Sequence, residues 1–237
     1  MQDSYTFGTD VYEGYCYKES LRLNKVLDLM LEASGRHSYE VEKGIDYKGG
    51  WIILQWDIRI ESLPQANKEI KVSTYSNFFN KFYAYRNFEI HQDGKLIVDA
   101  RAKFMVLDLE KRRPMRVPEV LQEAYSVAGN EPRGPYVDYK IREEDLDYEI
   151  VEKLKVRKTD IDVNFHVNNA RYVEWIENYL NDIDQIERIE ILYKHEIMKD
   201  QIVDIYRYED EEKIYFKLET DDKLNALINL SKKNIDS

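Results

Sequence analysis

The chain of 237 residues carries 46 acidic and 35 basic side chains, which gives a net charge of −11. Hydrophobic residues make up 43% of the sequence, enough for the core of one large domain or two small ones. The negative charge opposes nonspecific binding to nucleic acid. We therefore predict a globular protein without a nucleic-acid partner.

The cysteine content fits a reducing compartment, and the hydropathy pattern predicts no membrane span. Cys16 is the single cysteine, which excludes an intrachain disulfide framework. No apolar run approaches the roughly 18 residues that a membrane span needs. Residues 1–9 also lack the charged and apolar regions of a signal peptide. These features predict a cytoplasmic protein with no membrane span.

The first part of the chain predicts a strand, a helix and four further strands. The first strand is expected over residues 11–18, and Gly35 is expected to end the helix. The apolar stripe of this helix is Leu23, Val26, Leu27, Met30 and Leu31. Apolar and polar residues then alternate over 54–60, 70–74, 82–90 and 96–106, with a turn at Asp93 and Gly94. Such alternation is typical of antiparallel strands with one buried face.

The same order of elements is repeated after residue 145. Residues 122–145 are rich in proline, glycine and charge, show little periodicity and predict a linker. A strand over 148–156 and a helix over 170–180 follow. Four more strands are predicted at 189–193, 202–208, 214–218 and 224–230. The sequence thus predicts an α+β fold with two similar halves, one over 1–121 and one over 146–237.

A cluster of polar residues precedes the second helix. Asp162, Asn164 and His166 alternate with apolar residues, so an extended segment would place their side chains on one face. Asn168 or Asn169 is a candidate N-cap of the helix. Backbone N–H groups at a helix start can stabilise an anion or an oxyanion. We interpret the cluster as a candidate catalytic site in the second half, since the region over residues 16–22 of the first half lacks it.

Plainer roles for these residues exist. Asp and Asn often form turn and capping bonds before a helix, and a histidine can satisfy a buried acceptor. Clustering several polar groups at a helix start has a desolvation cost. A functional role for the cluster would explain why this cost is tolerated. His195 and Glu196 form a second polar pair, placed by periodicity on opposite faces of a strand. No metal or cofactor is predicted, because ligand spacings and nucleotide-binding motifs are missing from the sequence.

Three stretches carry a resemblance to a known family. Residues 162–169 closely resemble the Asp-x-Asn-x-His-Val-Asn-Asn signature of the acyl-acyl-carrier-protein thioesterases, a family of tandem hotdog domains. Residues 21–23, Trp51 and residues 113–118 resemble its N-terminal domain, and residues 193–196 resemble the segment that brings its catalytic glutamate. The resemblance implies two tandem hotdog domains, each a long helix wrapped by a curved antiparallel sheet.

The resemblance also implies an activity, the hydrolysis of a fatty acyl thioester on acyl carrier protein. In that reaction Asn164 would donate to the thioester carbonyl, and His166 would position the thioester or shuttle a proton. Asp162 would orient its neighbours or attack directly, and Glu196 would activate or hold water. Plant members have a cysteine after the glutamate, whereas this chain has Ile197, which argues against a cysteine nucleophile.

Alternatives in substrate, partner and assembly stay open at the level of sequence. An acyl-CoA thioesterase and a non-catalytic protein that binds acyl thioesters are the rival functions. Two basic clusters, 111–116 and 155–158, are candidate docking surfaces for the acidic carrier protein. An acyl tunnel is expected between the first helix and its sheet, along Leu27, Met30, Leu31, Leu54 and Trp56. The protein is expected to be a monomer or a homodimer.

Overall fold

The computed structural model describes residues 4–127 and 131–233. Within them the α-helices are α1 (Leu23–Val41), α2 (Glu119–Ala124) and α3 (Asn169–Glu177). The strands before the linker are β1 (Ser4–Asp10), β2 (Cys16–Tyr17), β3 (Ser20–Leu21), β4 (Gly49–Ile60), β5 (Glu69–Asn80), β6 (Tyr83–Gln92), β7 (Lys95–Asp108) and β8 (Arg113–Pro114). The strands after it are β9 (Glu149–Lys155), β10 (Ile186–Tyr193), β11 (Ile202–Glu209), β12 (Lys213–Thr220) and β13 (Lys223–Lys232).

One antiparallel sheet runs through both halves of the molecule. Its strand order is β1-β5-β6-β7-β4-β10-β13-β12-β11-β9, with β8 added beside β7. The halves join where β4 pairs with β10, and in this register Trp56 lies opposite Ile191. Helix α1 precedes β4–β7 and helix α3 precedes β10–β13. The predicted duplication of one helix and four strands is therefore confirmed, as is the tandem hotdog architecture.

Each helix buries an apolar face against its part of the sheet. Leu27 and Met30 of α1 are fully buried, as are Val173 and Ile176 of α3. Trp56 of β4 is also fully buried, and its ring lies 4.9 Å from that of Phe88, centroid to centroid. Such burial of large apolar side chains is the main stabilising contribution to the fold. No helix in the described part of the chain is long and apolar enough to cross a membrane.

Three predicted boundaries are wrong. The first strand is β1 rather than residues 11–18, where residues 13–15 form a short 3-10 turn. Helix α1 continues past Gly35 to Val41, because Gly35 lies on the exposed face while His37 continues the buried one. Helix α3 ends at Glu177 rather than at residue 180. Polar residues on an edge strand and a glycine inside a packed helix both weaken the sequence signal.

The described residues of the predicted linker cross the outer face of the sheet. In chain order, its contacts include Asn77 Nδ2 to Pro135 O at 2.7 Å, Gln55 Nε2 to Tyr139 O at 3.3 Å, and Lys217 Nζ to Glu143 Oε1 at 3.2 Å. The polar face of β4, expected to be exposed, is consequently covered. Gln55 and Asp57 are both buried there. Residues 128–130 of the predicted linker lie outside the described residues.

Candidate active site

The segment with Asp162, Asn164 and His166 forms a tight loop before α3, and not the extended segment considered from its alternation. The N–H of Asp162 donates to His166 O at 3.0 Å, and the N–H of Phe165 donates to Asp162 O at 3.1 Å. Phe165 has a φ of 67°, a left-handed conformation that occurs in turns. Val163 and Phe165 consequently point outward, with 89% and 78% of their surfaces exposed.

The loop still brings the three polar side chains together, through the carboxylate of Asp162. Its Oδ1 accepts a hydrogen bond from the backbone N–H of Asn164 at 2.8 Å, and its Oδ2 lies 3.4 Å from Asn164 Nδ2. The same Oδ1 lies 3.8 Å from His166 Nδ1. Both carboxylate oxygens are therefore engaged within the loop, as in an Asx turn.

The imidazole of His166 is held by the backbone. Its Nδ1 lies 3.2 Å from the carbonyl oxygen of Val167. A carbonyl can only accept a hydrogen bond, so this contact assigns the proton of the neutral ring to Nδ1. The other nitrogen, Nε2, is then the unprotonated acceptor. His166 has the tautomer of a general base or a proton shuttle.

The start of α3 follows directly. Asn168 is the N-cap, and its side chain accepts a hydrogen bond from the N–H of Ala170 at 2.8 Å. This contact confirms the predicted cap and selects Asn168 over Asn169. Asn169 is the first helical residue, and its carbonyl accepts a bond from the hydroxyl of Tyr193 at 2.9 Å. The cap fixes the helix start next to the polar loop.

A cleft of about 680 Å³ contains Asp162, Asn164, His166 and Glu196. This volume is within the usual range for a small-molecule site. Its walls come from both halves, namely the beginning of β4 and the end of β7 in the first half, and the polar loop, the start of α3 and the end of β10 in the second. The four predicted site residues thus line one cavity at the junction of the halves.

Glu196 lies beyond the end of β10 and not within a strand, so the predicted alternation of His195 and Glu196 does not apply. Both side chains are exposed and both line the cleft. Glu196 Oε2 lies 3.4 Å from Arg112 Nη2, a contact that joins the two halves. Sequence analysis placed Arg112 only in a candidate docking cluster. A contact over 84 positions leaves no local signal in the sequence.

Comparison with known proteins identifies the family. Residues 4–125 match the acyl-ACP thioesterase N-terminal domain, and residues 138–234 match the acyl-ACP thioesterase C-terminal domain. The chain belongs to the acyl-ACP thioesterase family. Its similarity to the oleoyl-acyl carrier protein thioesterase 2, chloroplastic, of Arabidopsis thaliana is 24% identity over 240 residues. That alignment covers 85% of this chain and 65% of the relative.

Two solved structures of this family have the same fold. An acyl-ACP thioesterase from Bacteroides thetaiotaomicron superposes with a TM-score of 0.85 at 19% identity, over 98% of either chain. The 12:0-ACP thioesterase from Umbellularia californica superposes with a TM-score of 0.84 at 15% identity, again over 98% of either chain. At such low identity the likeness establishes the fold of this family member and not its substrate.

The two halves of this acyl-ACP thioesterase family member repeat the loop that precedes each helix. In the first half, the N–H of Leu21 donates to Pro64 O at 2.8 Å. In the second half, the N–H of Val167 donates to Ile197 O, also at 2.8 Å. The residues before these acceptors, Leu63 and Glu196, are therefore equivalent. The sequence alignment of the region before α1 with the polar loop is confirmed.

The first-half copy of the loop lacks the Asp-x-Asn-x-His residues of the second. Ser20 bridges to Gln65 as His166 bridges to Met198, so a serine stands in the place of the histidine. Ser20 is buried and its hydroxyl donates to Asp184 Oδ1 at 2.7 Å. The first-half loop contains residues 17–20 and the second-half loop contains residues 162–166, so the first is one residue shorter.

Ile197 occupies the position at which plant members of the family have a cysteine. Its side chain is fully buried and it is not part of the cleft wall. Tyr172 lines the cleft beside it, and burial raises the pKa of the Tyr172 phenol, while a backbone hydrogen bond at Ile197 opposes the shift. The ring of Tyr172 meets that of Tyr193 edge to face at 5.2 Å. Sequence analysis did not identify Tyr172 as a residue of the site.

None of the five residues expected along an acyl tunnel lines a cavity between α1 and its sheet. Leu27, Met30 and Trp56 are fully buried packed core, and Leu54 lines the cleft itself. A separate cavity does lie between α1 and its sheet, and Trp51 lines both this cavity and the cleft. In the described residues, no group of three or more His, Cys, Asp or Glu side chains is arranged to hold a metal ion.

Proposed function

We propose that this chain hydrolyses the thioester between a fatty acyl group and the phosphopantetheine arm of acyl carrier protein, releasing a free fatty acid. The observation that carries the proposal is the convergence of Asp162, Asn164, His166 and Glu196 on one cleft. Membership of the acyl-ACP thioesterase family supports it. The cleft is large enough for the thioester together with part of the acyl chain and part of the phosphopantetheine arm.

The proposed reaction uses water as the nucleophile. Glu196 holds the water, which adds to the thioester carbonyl carbon while its proton passes to Nε2 of His166. Asn164 donates from its carboxamide to the oxygen on which negative charge develops. The carbon–sulfur bond then breaks, and His166 returns the proton to the leaving thiolate. The products are a carboxylic acid and the free thiol of the carrier.

We assign Asp162 an orienting role rather than direct attack. Its Oδ1 accepts from the Asn164 N–H at 2.8 Å and its Oδ2 lies 3.4 Å from the Asn164 amide nitrogen. A carboxylate engaged on both oxygens is a poorer nucleophile than a free one, since attack would break these bonds. Asp162 instead fixes the direction of the Asn164 carboxamide. It also lies close enough to His166 to stabilise the imidazolium that forms.

Hydrolysis assays on site variants test this proposal. We expect His166→Ala and Glu196→Gln each to lower kcat by roughly a hundredfold to ten-thousandfold. Matched controls are His91→Ala on β6 and Glu211→Gln in the turn before β12, both outside the cleft. Circular dichroism and thermal unfolding would show that the variants are folded. A folded His166→Ala variant with wild-type turnover would contradict the proposed mechanism.

We also propose that acyl carrier protein, rather than coenzyme A, is the carrier. Support comes from the basic cluster over residues 111–116, because Arg112 lies at the cleft wall and Arg113 and Arg116 are exposed nearby in sequence. In the second cluster, Arg157 is engaged with Asp160, its Nη2 lying 2.9 Å from Oδ1. Comparing hydrolysis of acyl carrier protein and coenzyme A thioesters at equal acyl length separates the two carriers.

The division into two domains over 1–121 and 146–237 is likewise a proposal. The repeated loops, helices and strands support it, and α2 spans the first boundary, which favours placing that boundary after residue 124.

We propose a monomer, since β4 and β10 already join the halves as one continuous sheet. Strands β1 and β9 are the ends of this sheet. Light scattering on the purified protein would detect a homodimer.

A further inference from the structure

A cavity of about 40 Å³ lies between the C-terminal part of α1 and strands β5–β7. Its walls combine polar side chains with the apolar side chains of Trp51, Phe79, Ala84 and Phe104. The polar residues that line it are Ser34, Ser38, Ser76, Tyr85, Arg86 and Tyr125. A site for one water needs on the order of 10–15 Å³, so this cavity can receive a small polar group.

Arg86 supplies the charge in this cavity. Arg86 is only 6% exposed, and this burial lowers the pKa of its guanidinium. Its Nη1 lies 2.8 Å from Nδ1 of His37 and 3.4 Å from the Thr74 hydroxyl, and its Nη2 lies 3.3 Å from the Ser76 hydroxyl. Arg86 also forms a side-chain hydrogen bond with Tyr125.

Compensation of this charge is indirect. The guanidinium carbon of Arg86 lies 5.3 Å from the centre of the Tyr125 ring, and the hydroxyl of Tyr125 donates to Oε1 of Glu42. Glu42 Oε1 also accepts from the indole N–H of Trp51 at 2.8 Å. A buried guanidinium whose carboxylate is reached only through a phenol gains from an additional oxygen ligand. The cavity beside Arg86 is where such a ligand would fit.

Trp51 lies between this cavity and the cleft. Its ring is a shared wall, since Trp51 lines both spaces, and it stacks on Phe79 with 6.2 Å between centroids. An acyl chain whose thioester lies in the cleft and whose tail passes Trp51 would meet polar groups at its far end. A methyl end there would add no hydrogen bond to Arg86 or to the serine hydroxyls, whereas an oxygen would.

We propose that this cavity receives the distal end of the acyl chain and selects chains that carry an oxygen substituent there. The substituent accepts hydrogen bonds from Arg86. The hydroxyls of Ser34 and Ser38 form another polar part of the cavity wall. The inference deepens the proposed thioesterase function and rests on it. A hydroxyl and a carboxylate share the required acceptor chemistry, and the substrates below distinguish them.

The test uses acyl carrier protein loaded with chains of increasing length, each with a methyl, a hydroxyl or a carboxylate end. At one length, we expect the wild-type kcat/KM for an oxygen-ended chain to exceed that of a methyl-ended chain of equal length by roughly tenfold to a hundredfold. We expect Arg86→Met to bring that ratio close to unity. Ser34→Leu, which fills the cavity from α1, is a second variant in case Arg86→Met does not fold.

Ser73→Ala on β5 is the matched control, because Ser73 is outside the cavity wall and should leave the ratio unchanged. Hydrolysis with no preference for oxygen at any length would overturn the inference and leave the proposed function standing. A preference that survives in both folded variants would overturn it as well. If no thioester is hydrolysed, calorimetry with free fatty acids decides, since tighter binding of the oxygen-ended acid supports the cavity and equal binding overturns it.

Discussion

Glu177, the last residue of α3, accepts a hydrogen bond from the backbone N–H of Leu23, the first residue of α1, at 2.9 Å. The other oxygen of this carboxylate lies 3.0 Å from Nη1 of Arg22. The side chain of Arg22, the N-cap of α1, makes no capping bond of its own. A carboxylate from one half therefore caps the helix of the other half and complements its positive end.

Loss of this cap should destabilise the whole chain. We expect Glu177→Ala to lower the free energy of unfolding by about 1–3 kcal/mol, because a buried N–H loses its acceptor and Arg22 loses its partner. Glu40→Ala, on the exposed face of α1, is the control and should change it by less than about 0.5 kcal/mol. Urea unfolding followed by circular dichroism measures both. Equal effects of the two substitutions would contradict the capping role.

The same carboxylate should make stability depend on pH. Burial raises the pKa of Glu177 above its ordinary value near 4.5, and the bonds from Arg22 and Leu23 only partly oppose this. The folded state then binds the proton more tightly than the unfolded state, so this contribution to stability is full below pH 4.5 and is lost as pH rises through the raised pKa. The stability of the wild type relative to Glu177→Gln should fall over that interval. A relative stability that rises with pH would show that pairing with Arg22 outweighs burial.

Gly35 is a position at which the protein can be stabilised. It lies inside α1, and a Cβ at this site would have no neighbour within 4 Å. We expect Gly35→Ala to raise the free energy of unfolding by about 0.5–1 kcal/mol, because alanine restricts the unfolded chain and favours helix. Gly94→Ala is the contrasting control, since Gly94 has a φ of 75° and alanine would be strained there. Thermal unfolding should move in opposite directions for the two variants.

The carboxylate of Asp162 should matter for catalysis through Asn164. In Asp162→Asn, an amide N–H₂ replaces the oxygen that now lies 3.4 Å from the Asn164 amide nitrogen. We expect kcat to fall at least tenfold, equivalent to about 1.4 kcal/mol, with a smaller change in KM. Asp204→Asn on β11 is the control, and it removes a surface ion pair with Lys153. Unchanged kcat in a folded Asp162→Asn variant would argue against the orienting role.

Docking of the carrier protein should depend on the basic cluster near the cleft. Reversing charge at both Arg113 and Arg116, by substitution with glutamate, should raise KM for acyl carrier protein by roughly tenfold at low salt. The effect should shrink as salt increases, because exposed charges are screened. Hydrolysis of a short acyl-pantetheine, which lacks the protein carrier, should be unaffected. The double variant Lys71→Glu and Lys223→Glu, at exposed positions on β5 and at the start of β13, makes the same change in net charge away from the cleft. An equal rise in KM there would contradict a local docking surface.

The extent to which sequence predicts this molecule depends on the range of the interaction. Alternation within β7 or β13 reflects a local rule, that neighbouring side chains point to opposite faces, and these strands are found where it places them. The loop of Asp162 defeats the same rule, because a bond from the Asn164 N–H to the carboxylate favours a turn that alternation cannot reveal. Asp162, Asn164 and His166 were identified as a polar cluster before a helix, and Glu196 from a separate resemblance. That all four line one cleft was not deducible from spacing. The contact between Arg112 and Glu196 is invisible to sequence, since it depends on how two distant loops meet.

The missing residue in the first-half loop limits what substitution can achieve there. Residues 17–20 span the gap that residues 162–166 span in the other half. Replacing Ser20 by histidine and Leu63 by glutamate would restore the side chains without the turn that positions them. Engineering a second reactive centre into this chain would thus require an insertion as well as exchanges, and the unmodified chain should process one thioester at a time.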